Sequence, residues 1–192
     1  NWLTASFEKL DNVDKNSLFS DIKTDYKYFD QLKYFKDNKI ISWFEDNSFR
    51  PKNNLNRVEA LKIILLWFWI KSQSSWTWTF DDVKANTWQS DYINSWIKYW
   101  IVSTKNKLFN PTNVITRVEI IKMISILSKA DLWYFSKLDN KINDVNKDDW
   151  KYSYTNFAIT NNLFVLDNWN FYPDKQITRE ELIFVLYKIL NR

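Results

Sequence analysis

Three stretches of this chain open alike, close alike and keep the same internal spacing, and this repetition limits the fold more than any other feature. The openings are Phe19-Ser20-Asp21-Ile22, Phe80-Asp81-Asp82-Val83 and Ile142-Asn143-Asp144-Val145. Each copy later carries an aromatic-x-Pro turn, at Phe49-Arg50-Pro51, Phe109-Asn110-Pro111 and Phe171-Tyr172-Pro173. Six residues past each proline stands an arginine (Arg57, Arg117, Arg179), and two further on a glutamate (Glu59, Glu119, Glu181). The prolines lie 60 and then 62 residues apart, so the register is held along the chain. Such a period marks a tandem array whose units cover each other's apolar faces. We read an N-terminal segment over 1–18 and modules over 19–79, 80–141 and 142–192.

Within a copy the pattern is helix, loop, helix. After Trp88, the residues Tyr92, Ile93, Trp96 and Ile97 fall on one helical face, which predicts an amphipathic first helix. The proline loop interrupts it. Asn56, Thr116 and Thr178 are good N-cap residues for the second helix, and the glutamates three places on complete capping boxes. The bodies of these helices, Leu61 to Leu66, Ile120 to Leu127 and Leu182 to Leu190, are apolar on nearly every side. That predicts an all-α, mainly helical fold with three second helices at the centre and amphipathic first helices around them.

Composition narrows the function. With no His and no Cys, the chain lacks the commonest general base, thiol chemistry and the usual transition-metal ligands. We expect no catalysis, no metal and no cofactor. A net charge of +4 spread along the chain is no nucleic-acid footprint. The apolar run Leu61 to Ile70 contains Lys62 and is far short of the ~20 residues of a membrane span. The chain starts at Asn1 without Met or a signal-like stretch, so it reads as a portion of something longer.

Candidate binding residues recur in register. A cation at the first helical position opposes the helix dipole, so three arginines there point to a use: with free backbone N–H groups, each makes a carboxylate or phosphate site. As surface side chains they should add little to folding. Glu59, Glu119 and Glu181 have a sufficient explanation in capping and stand beside the arginines as candidate ligand residues. Asp21, Asp82 and Asp144 suit N-caps of the first helices as well as they suit a ligand site. Trp88 and Trp150 fit sugar faces, although core packing is the commoner fate of Trp. Asp144-x-Asn146-x-Asp148 lacks the Gly and closing Glu of a calcium loop. Glu180-Glu181 in one first turn reads as dipole matching rather than a catalytic pair.

Together the Asp-Val openings, Trp88 and Trp150 five residues after them, the Phe-x-Pro loop and Ile115-Thr116-Arg117-Val118-Glu119 resemble the S-layer homology domain. The resemblance covers about Phe19 to Arg192. It implies three modules in a pseudo-threefold unit that anchors a larger exported protein to the bacterial cell surface, cell wall or S-layer. The implied ligand is an anionic, pyruvylated secondary cell-wall polysaccharide, whose ketal-pyruvate carboxylate pairs with Arg57, Arg117 and Arg179 in grooves between modules. Lys27 stands where the family has Trp, and Asn56 where it has Thr, which implies a weaker first groove. The rival reading is a protein-interaction or self-assembly module of a surface layer.

The chain has no Gly, where about 13 would be ordinary, and has 12 Trp. The resemblance implies Gly at the end of each first helix, where Lys39, Trp100 and Asn162 stand, and four residues before each proline, at Asn47, Lys107 and Trp169. It also implies Gly at Trp43. Further Trp crowd Trp67-Phe68-Trp69 and Ser75-Trp76-Thr77-Trp78, where flexible linkers are usual. The pattern predicts a reassigned genetic code, with UGA meant as Gly at most Trp positions other than 88 and 150.

Overall fold

The capping and apolar patterns become helices in the computed structural model, which describes residues 18–74, 80–98 and 107–190. The described residues form α1 (Phe29–Asp37), α2 (Arg57–Trp67), α3 (Trp88–Lys98), α4 (Arg117–Leu127), α5 (Leu132–Lys137), α6 (Lys151–Thr160) and α7 (Arg179–Leu190). Helices α1, α3 and α6 are the first helices of the three copies, and α2, α4 and α7 the second. Among the described residues there is no helix long and apolar enough to cross a membrane.

The second helices start where the caps predict. Asn56 accepts the Glu59 N–H at 2.9 Å, and Glu59 accepts the Asn56 N–H at 3.1 Å. Thr178 and Glu181 exchange the same two bonds. Glu119 takes both the N–H and the hydroxyl of Thr116. Their apolar bodies are buried nearly all round: Val58, Ala60, Leu61, Ile64 and Leu65 of α2 are fully covered. Helix α2 touches α3, α4 and α7, which explains why it has no polar face.

A ring of backbone bonds joins the modules. Leu55 donates its N–H to Ile177, Ile177 to Ile115, and Ile115 to Leu55, each at 3.1 Å. All three side chains are buried. The second-helix N-termini plug into proline loops in the same cyclic way. Arg57 and Val58 donate N–H groups to Asn113 and Pro111, Arg117 and Val118 to Lys175 and Pro173, Arg179 and Glu180 to Asn53 and Pro51. The expectation of free N–H groups at these helix starts is therefore not met. Carbonyls of another module's proline loop occupy them, which satisfies donors that a helix start leaves unpaired.

First-helix ends follow the glycine logic without glycine. Lys39 (φ 59°) and Asn162 (φ 52°) are left-handed. The following N–H groups of Ile40 and Leu163 reach back to Phe35 and Ala158, as in a Schellman turn. Trp100, and residues 1–17 of the N-terminal segment, lie outside the described residues. Helix α5 was not legible in the repeat. It occupies the longer spacer before the third copy, is capped by Asp131, and packs Phe135 edge-on against Phe157 of α6.

Candidate functional site

The aspartates come first in each copy and turn out to hold loops. Asp21 accepts the N–H groups of Phe49 and Arg50, both at 2.7 Å. Asp82 does the same for Phe109 and Asn110, and Asp144 for Phe171 and Tyr172. They are not N-caps. Each carboxylate clamps the aromatic-x-Pro turn, whose middle residue is left-handed in every copy: Arg50 (φ 57°), Asn110 (φ 58°) and Tyr172 (φ 56°). Two charge-assisted bonds offset the cost of that backbone shape.

The arginines cross module boundaries. Arg57 Nη1 donates to Glu119 at 3.0 Å, and Arg117 Nη2 to Glu181 at 3.1 Å. Arg117 also donates to the Phe171 carbonyl at 2.9 Å. Arg179 differs. Its Nε donates to the Phe49 carbonyl at 2.8 Å and its Nη2 to the Ser42 carbonyl at 3.0 Å, and it makes no ion pair among the described residues. At 8 % exposure it is nearly buried, and burial pulls its pKa below the usual arginine value. These arginines are not freely solvated, and they brace the module junctions.

Trp88 and Trp150 sit at equivalent junctions and are about half exposed (48 % and 54 %). This is the less common fate for the residue. Lys62 Nζ lies 5.3 Å from the Trp88 ring centre, and Lys122 Nζ 5.3 Å from that of Trp150. Tyr92 and Tyr154 meet the indoles edge-on at 6.3 and 5.8 Å. A half-exposed indole with an ammonium group over its ring suits a sugar that carries negative charge. Lys62 and Lys122 escaped the sequence reading, although both stand five residues after the motif arginine.

The third junction breaks this pattern. Phe184 occupies the lysine register and packs on Tyr28 at 4.9 Å. Lys27, in the tryptophan register, lies 4.4 Å from the Tyr28 ring centre. Glu180, buried behind them, accepts the Tyr26 hydroxyl and pairs with Lys52. Burial and then that hydrogen bond push the Tyr26 phenol well above its usual range.

Beside Trp88 a cavity of about 160 Å³ opens among Ser42, Trp43, Glu59, Lys62, Trp88 and Arg179. One module contributes Ser42, Trp43, Glu59 and Lys62, the next Trp88, and the remaining one Arg179. The groove is thus shared by all three repeats. Among the described residues no group of three or more acidic side chains is placed to hold a metal ion.

The S-layer homology domain matches residues 18–61, 79–121 and 141–183, one match per repeat. The chain belongs to the S-layer homology domain family. Over 185 residues, or 93 % of its length, it is 25 % identical to Exoglucanase XynX of Acetivibrio thermocellus, and the match spans 17 % of that protein. S-layer homology domains are non-catalytic modules that anchor to cell walls by binding wall glycans, so the family places the chain at the cell surface.

Proposed function

We propose that this chain anchors a larger exported protein by binding a pyruvylated wall polysaccharide in the grooves at α2/α3 and α4/α6. The observation that carries this is the pair of half-exposed indoles, each with a lysine beside its face, at equivalent module junctions. Sugar rings stack on Trp88 and Trp150, and Lys62 and Lys122 attract the pyruvyl carboxylate. In the first groove Arg179, bonded to two carbonyls and in no ion pair among the described residues, adds positive potential from below. In the second, Arg57 fills that role after sharing its charge with Glu119.

In this reading modules 19–79, 80–141 and 142–192 surround a pseudo-threefold axis through the Leu55–Ile115–Ile177 ring. Asp21, Asp82 and Asp144, with Glu59, Glu119 and Glu181, build the grooves rather than touch sugar. No catalysis, metal or cofactor is needed.

The test is a pulldown with purified wall polymer before and after removal of its pyruvyl groups. We expect binding to fall at least tenfold on depyruvylation, and to fall similarly in Trp88→Ala plus Trp150→Ala with melting nearly unchanged. Undiminished binding to depyruvylated polymer would sink the carboxylate reading. Self-association without polymer affinity would mark a surface-assembly module instead.

A further inference from the structure

The backbone puts tryptophan where tryptophan does not belong. Trp69 is the residue just past the C-cap of α2, with φ 57°. Its N–H reaches Leu66 and the next N–H, from Ile70, reaches Leu65, which completes a Schellman turn. That position is left-handed and favours glycine. Trp169 lies in a two-residue turn. Asp167 and Asn170 exchange both backbone bonds, at 3.1 and 2.8 Å, and the residues between them, Asn168 (φ 49°) and Trp169 (φ 64°), are both left-handed. A tight hairpin turn with two positive φ values is the type for which Asn-Gly is the strongest preference. Here the second half of that dipeptide is an indole, 54 % exposed.

A third anomaly is chemical. Trp96 is buried to 1 % exposure, and its Nε1–H has no acceptor among the described residues. Buried donors are nearly always paired. Trp88 and Trp150 show none of these faults. They have ordinary helical surroundings, the same lysine and the same tyrosine. All of this occurs in a chain of 192 residues without one glycine.

We infer that positions 69 and 169 are glycine in the natural protein, encoded by UGA triplets that its organism reads as glycine.

The gene and the native protein decide this whether or not the polymer binds, so its failure is distinct from failure of the glycan reading. We expect UGA at 69 and 169 against UGG at 88 and 150, and native peptides with glycine masses at the first two. UGG at 69 or 169 overturns the inference. In the recombinant chain, Trp69→Gly with Trp169→Gly should raise the melting temperature by roughly 4–8 °C. An unchanged or lower melt counts against the strain on which the inference stands.

Discussion

Where α2 meets α3, Lys62 lies over Trp88 and Tyr92; where α7 meets α1, the same register holds Phe184 against Tyr28. Behind both surfaces the backbone is the same. The Leu55–Ile115–Ile177 ring, the loop carbonyls on the helix N-termini and the aspartate clamps are present at all three junctions. The repeat therefore carries two layers. The inner one is made of backbone bonds and buried aliphatics that each module needs from another, so it tolerates little change. The outer layer is a few side chains that can differ from junction to junction without unfolding anything. At α7/α1 the outer layer is the packing of Phe184 on Tyr28 over a buried Glu180.

The largest effect should come from breaking the inner layer. Deletion of residues 142–192 removes one donor and one acceptor from the ring and uncovers faces of α2 and α4. It also removes the partners of Arg117, namely Glu181 and the Phe171 carbonyl. A remainder of two modules would leave buried aliphatics such as Ile120 and Ile124 without their full cover. We expect an aggregation-prone chain without a cooperative melt, read by calorimetry and light scattering. A soluble two-module fragment with a sharp transition would show that the inner layer is not shared.

A smaller effect separates the arginines. Arg179→Ala strands the Phe49 and Ser42 carbonyls and should cost about 2–4 kcal/mol. Arg57→Ala removes a partly exposed ion pair with Glu119 and should cost about 1 kcal/mol or less. Denaturant midpoints at constant slope measure both. Equal losses would mean that the junctions do not differ in the way their contacts indicate.

The inner layer was largely legible in the sequence, and the outer layer only in part. Asn56, Thr116 and Thr178 announced helix starts because capping is local chemistry. The all-apolar bodies of α2, α4 and α7 announced a shared centre. The partners at those starts were not legible, because Pro51, Pro111 and Pro173 reach them from another module. For the same reason the sequence places the arginines at the surface and suits Asp21 to a cap, although its partners lie 28 and 29 residues away. Lys27 did signal a groove that departs from the others. Only the fold shows that its junction is α7/α1, at the far end of the chain, and not the α2/α3 junction of its own module.

The finest test of the comparison is acidity. Burial raises the pKa of Glu181, but the Thr178 N–H and the Arg117 guanidinium, with Lys175 nearby, outweigh it and hold the carboxyl below its usual range. A depressed folded value means that ionised Glu181 stabilises the fold. That contribution is whole above the unfolded value, roughly 4.3, and is lost as pH falls through the lower folded value. Glu181→Gln should lower stability at pH 7 by about 1 kcal/mol, and the deficit should shrink as both proteins approach pH 3. Asp46, held at about 2 by Ser48 and Arg50 within one loop, titrates alike in both and supplies no difference. Chemical denaturation at pH 7, 5 and 3 gives the gap directly. A deficit that stays constant across that range would mean that the charge on Glu181 adds nothing to the junction, through Thr178 or through Arg117.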